Sequence, residues 1–574
     1  MGLPVLPLIL AAAVQWLDPS AVTPGQQGVC VTEWSGGQRR EIRVEVEGIL
    51  DATGPDRTAV LIRLLDDGLK DSGVAAGMSG SPVYIDGKLL GAVAFGWQFA
   101  KEPLAGVTPF ARMVRLAPGG PTVTAPAPAL SQLAELAAGR LDPLAVLPPL
   151  PPRGTLAPQL AAVSGLPPAD GFGERLLTRL GLQAVPAGAA ADEREEGPPQ
   201  AGGMLAVPLV WGDATLAAAG TVTARDGDKV YAFGHPLFGF GAVHMPAARA
   251  RVLAVQDSYQ NPFKLFSVGE TFGTVVADRP AGLLAVAGQA PAGIPVTVAV
   301  EDPTGNATWR FHIVDEPLLA TPLVVFLTHA CLTARGAAVG ESSVSLALTV
   351  HLADGRSVSV EQATRGTDAL ARIAAFAGGA VGVLANSSFP HPAIAGVTVH
   401  LRREEKARGA ALVEAIPTRS TVAPGEALAV DVRLQPEHAP TEERRIVVRV
   451  PSDQPAGPLD LIVADGAAWS EYRLRVDGIT PATFADQLAE LAQLGSSATL
   501  VAALESRDRG VAVAGASQPD LPPSWAATLA AGLGKAGVTR LSTAVVAITT
   551  EAFPTPLEGA FRIPLQVRPR QEVP

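Results

Sequence analysis

Apolar and polar positions alternate with a period of two along much of this chain. In "EIRVEVEGI", Ile42, Val44 and Val46 alternate with Arg43, Glu45 and Glu47, which predicts a strand with one face buried. "TAVLIRLL" is more uniformly apolar and predicts a strand covered on both faces. "YIDGKLLGAVAF" sets Asp86-Gly87 between two apolar runs, which predicts a hairpin closed by a type I′ turn. "AAAGTVTARDGDKVYAFGH" repeats this logic, with Arg225-Asp226-Gly227-Asp228 separating two strands.

Elsewhere the pattern changes. "PTVTAPAPA", "VLPPLPPRG" and "ADEREEGPPQAGG" are linker-like, and "LSQLAELAAG" and "GERLLTRLGL" predict short helices between them. A helix is expected near Asp368–Ala377. Another is expected from Thr480 as N-cap, with Pro481 at its first position, to about Leu494. The expected segments are therefore a signal peptide (1–20), a β-rich part (24–118), a Pro/Ala-rich linker with short helices (119–200) and a second β-rich part (201–350). A small α+β segment (351–412), a β-sandwich-like module (413–477) and a helix with terminal strands (478–574) follow.

Composition narrows the classes. The chain has 574 residues, too many for one core, and 59 Gly with 51 Pro imply many turns. A net charge of −11 without a basic block argues against nucleic acid as a partner. Cys30 and Cys331 stand in unrelated contexts, open either to one disulfide or to two buried thiols. No paired Cys or His spacing suggests a metal, and no motif suggests a cofactor. The apolar run Leu3–Val14 is too short to span a bilayer, and Ala11-Ala12-Ala13 offers the small residues a signal peptidase needs. Export to a periplasmic or extracellular location is the expectation, with membrane contact at most through that segment.

The candidate chemistry lies in "GVAAGMSGSPVYIDGKLLGAVAFGW". An α/β-hydrolase elbow needs G-x-S-x-G ahead of a helix, but the second residue after Ser79 is Ser81 and a hairpin follows. What remains is the arrangement of the chymotrypsin-like double β-barrel, with the nucleophile on a loop between strands. There the amides of Gly77 and Ser79 form the oxyanion hole, and Gly80 permits the tight backbone. One such donor is worth about 2.7–4 kcal/mol of transition-state stabilisation.

"GMSGSPVYIDGKLLGAVAFGW", followed by "KEPLAGVTPF", resembles the SpoIVB-type serine peptidase family. The resemblance implies that Ser79 is the nucleophile. "AAAGTVTARDGDKVYAFGHPLFGFG" resembles the family's glycine-histidine loop and puts the imidazole at His235. Together these segments cover roughly residues 24–115 and 200–300. Their order is reversed relative to the sporulation peptidase, so the resemblance is to a permuted member. The family's aspartate stands fifteen residues before the nucleophile, where this chain has Leu64.

A serine hydroxyl needs a base within hydrogen-bond reach. His235, between Gly234 and Pro236 at the end of a strand, is the first candidate, and His244 in "GAVHMP" the second. For the orienting carboxylate, Asp66 and Asp67 lie in an ordinary turn and Asp226 and Asp228 in a hairpin turn. Asp278, before the apolar run of "GLLAVAG", ranks first. The expected activity is a serine endopeptidase acting on one or few proteins, the chain itself included. The alternative is a catalytically inactive peptidase-like scaffold that binds protein partners in the cell envelope.

Overall fold

A computed structural model describes the chain apart from 1–13, 52–57, 67–68, 70–72, 98–100, 152–158, 168–170, 189–196, 259–261, 337–339, 438, 478–480, 508–510, 514–515, 519–522, 532–537, 541–542 and 569–574. The chain divides into two compact units. The first comprises Met1–Ala125, Pro149–Ile294 and Phe311–Leu319. The second comprises Pro126–Pro148, Pro295–Arg310 and Ala320–Pro574.

The first unit begins with strands β1 (Gln27–Ser35), β2 (Gln38–Asp51), β3 (Thr58–Leu64), β4 (Pro82–Ile85), β5 (Lys88–Gly96) and β6 (Leu104–Pro109). They close a barrel in the order β1-β2-β3-β6-β5-β4. Alternation dictates its interior: Ile42, Val44 and Val46 are buried with Val60, Ile62, Val83, Ile85, Val93 and Val107, while Arg43 is exposed. The β4–β5 turn has Asp86 at φ 49° and Gly87 at φ 72°, the backbone an I′ turn demands.

The same unit continues with β7 (Gln159–Ser164), β8 (Leu182–Pro186), β9 (Met204–Gly212), β10 (Thr215–Asp226), β11 (Lys229–Ala232), β12 (Gly241–Gln256), β13 (Phe263–Arg279) and β14 (Gly282–Ala287). The stretch expected as linker thus also supplies β7 and β8, which extend the sheet beside β10. These strands belong to a large mixed sheet, in the order β9-β12-β13-β14-β11-β10-β7-β8. Of the expected double barrel, one closed six-stranded barrel is present, and it stands beside this mixed sheet, in which β10 also pairs outward with β7. β10 pairs with β9 as well, so its hydrogen bonds are shared among three partners along its length. Leu89, Ala92, Phe110 and Met113 pack with Ala224, Tyr231, Ala277 and Leu284 and join barrel to sheet.

β15 (Ile294–Asp302), β16 (Gly305–Ile313) and the apolar helix Pro317–Thr333 contribute residues to both units, while β17 (Ser342–Leu352), β18 (Ser357–Gly366), β19 (Ile394–Glu404) and the apolar helix Ala369–Ala385 belong to the second. Among the described residues no helix is long and apolar enough to cross a membrane. A four-stranded and a five-stranded sheet then share one core, from Leu412 and Val430 to Leu461, Leu504 and Leu565. This two-sheet module draws strands from Ala410–Pro417 to Ala560–Val567. The last predicted helix starts at Phe484 rather than Pro481, because Thr483 and Asp486 form a reciprocal cap. Thr480 lies outside the described residues.

Candidate active site

The serine loop, 75–81, is held by its own turns and by three strands. The Met78 N–H donates to the Ala75 carbonyl and the Ser81 N–H to the Met78 carbonyl, closing two successive turns. The Gly80 N–H donates to the Val93 carbonyl at 2.7 Å, and the Ala76 N–H to the Pro262 carbonyl at 2.7 Å. The N–H groups of Gly77 and Ser79 have no hydrogen-bond partner among the described residues. A buried amide without a partner is costly, and here two flank one residue of a part-buried loop.

β10 fixes the other side of the loop. The Thr221 hydroxyl donates to the Gly77 carbonyl (2.9 Å), the Thr223 hydroxyl to the Gly80 carbonyl (2.8 Å), and the Thr221 N–H to the Ser79 carbonyl (2.7 Å). Gly80 has φ +94°, and a Cβ there would lie 1.8 Å from the Thr221 oxygen and 2.6 Å from the Phe233 nitrogen. Only glycine fits this approach.

That contact also joins the loop to the histidine. After β11, Phe233 (φ 72°) and Gly234 (φ 70°) both take left-handed backbone and turn the chain to present His235. A Cβ on Gly234 would lie 2.8 Å from the Ala92 Cβ and 3.2 Å from the Val93 oxygen, the carbonyl that also receives the Gly80 N–H. The Thr108 hydroxyl donates to the Gly234 carbonyl at 2.6 Å. The two stretches, more than 150 positions apart in sequence, therefore meet over β5.

His235 is 8% exposed and its Nδ1 lies 2.8 Å from the Pro236 carbonyl oxygen. A carbonyl only accepts, so this bond requires the proton on Nδ1 and leaves Nε2 as the basic nitrogen. His244 sits exposed on β12, beside Asp315.

Asp278 is fully buried on β13, opposite Gly241, and does something other than expected. Its Oδ1 accepts the Leu237 N–H, and its Oδ2 accepts those of Phe238 and Gly239, each at 2.8 Å, and of Phe240 at 3.4 Å. All its hydrogen bonds among the described residues are to these backbone amides, and none is to His235. Burial raises its carboxyl above the usual range, and the four amides oppose that rise. Its place is under the segment that leaves His235, not against the ring. Leu64 points into the barrel core, and Asp66 is tied to Arg40. Asp67 lies outside the described residues.

Residues 13–113 match the family model of the SpoIVB peptidase S55 domain. The match spans the whole serine loop and the barrel around it, and the family it points to is one of serine peptidases. Protein substrates follow from such a peptidase. No curated protein and no solved structure matches the chain.

Four residues at this serine loop escaped the sequence reading: Thr32, Thr221, Thr223 and Lys264, all without solvent exposure. Their signal was a polar residue among apolar neighbours, in "VCVTEW", "GTVT" and "PFKLF". Cys30 and Cys331 are both buried and are not joined in a disulfide.

Proposed function

We propose that the protein is a serine endopeptidase in which Ser79 attacks a peptide carbonyl, His235 takes the proton through Nε2, and the amides of Gly77 and Ser79 bind the oxyanion. The observation that carries this reading is the pair of amides without a partner among the described residues, on a loop clasped to the turn that presents His235. The pairings β9–β12–β13–β14–β11–β10, returning from β10 to β9, support a second barrel in the two-barrel manner. In this reading Asp278 keeps the post-histidine segment in place, and the Pro236 carbonyl orients the imidazole.

Labelling by a fluorophosphonate probe tests the proposal. The wild-type chain is expected to label at Ser79, and Ser79→Ala to lose that label. Equal labelling of both proteins, or of neither, leaves the non-catalytic scaffold as the better account. The commitment of Asp278 to backbone amides is the observation that favours the scaffold.

We further infer export, on the apolar run Leu3–Val14 and the small residues Ala11–Ala13. Gln15 and Leu17 pair with Leu89 on the barrel, so a chain that starts at Val14 keeps this contact. N-terminal sequencing of protein from the native host is expected to start near Val14; an intact Met1 would refute export by cleavage.

A further inference from the structure

Lys264 is a wholly buried lysine at the start of β13, directly beneath the serine loop. Its backbone pairs with the loop entry: the Lys264 N–H donates to the Ala76 carbonyl at 3.1 Å, next to the Ala76-to-Pro262 bond. Its methylene stem lies against Gly77, where an added Cβ would come within 3.1–3.3 Å of three stem carbons. Its Nζ donates to the hydroxyls of Thr32 (2.8 Å) and Thr221 (3.3 Å) and faces the Met204 sulfur at 3.7 Å.

Both threonines pass the contact on. Thr221 donates to the Gly77 carbonyl, and Thr32 accepts the Ser81 hydroxyl at 2.8 Å. One ammonium therefore reaches both ends of the loop, two residues before and two residues after Ser79. A buried lysine is expensive unless it is used, and a nonpolar residue would fill the same space at lower cost.

We propose that Lys264 is a positioning residue of the serine loop: through Thr221 and Thr32 its ammonium fixes Gly77 and Ser81, and so holds the amides of Gly77 and Ser79 convergent. Its catalytic consequence rests on the serine peptidase reading, while the holding of the loop does not.

The ionisable groups that face Lys264 are Cys30 and Glu33, both on β1. β9 and β10 contribute Met204 and Thr221, and the loop contributes Ser81, none of them charged near neutrality. Desolvation pushes the lysine down to about 7, against the attraction of Glu33 and Cys30. Burial pushes the Cys30 thiol up to about 12 and raises the Glu33 carboxyl, a rise that the Val252 N–H and Lys264 itself oppose. The ammonium is thus present on the acid side of neutrality and lost above it.

The test compares the full-length wild type with Lys264→Met and Thr32→Val by hydrogen exchange of the segment 73–81 and by fluorophosphonate labelling across pH. In Lys264→Met the loop is expected to exchange roughly tenfold faster, and labelling to be roughly tenfold slower at about pH 6. The ratio of wild-type to variant labelling rates cancels the titration of His235, and it should fall toward one by about pH 9. A packing role alone would give a ratio that does not change with pH. Thr32→Val should shift both readouts in the same direction by a smaller factor, and it decides the matter if Lys264→Met does not fold. Loop exchange within twofold of wild type in the folded variants, or a loosened loop that labels at the wild-type rate, overturns the proposal. A loop that loosens in Lys264→Met while the wild type never labels at Ser79 upholds the loop-holding role and removes the peptidase reading instead.

Discussion

Gly80 shows how much one residue decides here. Its left-handed backbone would cost a side chain about 1–3 kcal/mol, and the Thr221 carbonyl at 1.8 Å from the virtual Cβ adds a clash that no rotamer relieves. Gly80→Ala is expected to lower stability by at least ~2 kcal/mol and to separate β10 from the loop. A thermal melt within about 1 °C of wild type, with Ser79 still labelled, would contradict that geometry. Glycine at this position was readable as a loop former, but its partner was not. Nothing local in "GMSGSP" says that the loop must touch a carbonyl on a strand about 140 residues later. The same holds for Lys264: "PFKLF" marks a lysine among apolar residues, but such a lysine ordinarily sends its charge to the surface, so the stretch alone does not say that it is buried.

At the level of elements, the site is three strands meeting one loop. β5 offers the Val93 carbonyl to Gly80 and its flank to Gly234, β10 offers two threonine hydroxyls, and β13 offers Lys264 at one end and Asp278 at the other. The hairpin after the loop and the strand before His235 were both legible from alternation and turn residues, since those signals act over a few positions. The role of Asp278 was not, because chain distance from His235 says nothing about whether a carboxylate meets a ring or the amides beside it. Asp278→Asn separates the two roles. An amide keeps one acceptor oxygen and turns an NH₂ toward amide donors, so the segment 237–240 should lose roughly 2–3 kcal/mol of support. The labelling rate should fall, while the pH midpoint of labelling stays where the wild type has it, because the Pro236 carbonyl sets the His235 tautomer. A carboxylate partner of the imidazole would behave otherwise: its loss would move the midpoint to lower pH and cut the rate by roughly 10⁴.

On the scale of the whole molecule, the first unit alone holds every residue of the proposed chemistry, with Ser79 and His235 on segments separated by the 119–200 stretch. A triad or dyad depends on final geometry and not on chain order, so the reversed order of serine and histidine is no obstacle once both rest on β5. The second unit has its own cores, among them the two-sheet module whose strands come from both sides of the helix Phe484–Ala492. Read in sequence, that module looked like a short sandwich ending near 477, because strand alternation marks each strand without naming its neighbour. Its closing partner, Ala560–Val567, pairs with Gly457–Asp465 about a hundred residues earlier.

Sequence alone determined what short-range physics controls: which stretches alternate, where the I′ hairpin turns, which serine sits between glycines, and which histidine ends a strand. It also carried the SpoIVB-type signature, which is itself a local run of residues. Only tertiary structure decided which carbonyls take the loop's amides and which two amides stay open among the described residues, that Asp278 serves a backbone segment rather than a ring, and that a lysine lies buried under the serine loop. The reason is one of distance. Periodicity and turn preference are set by neighbours within a few residues, whereas hydrogen-bond partners in a closed β-structure are set by strand pairing across a hundred residues or more, which no local pattern encodes.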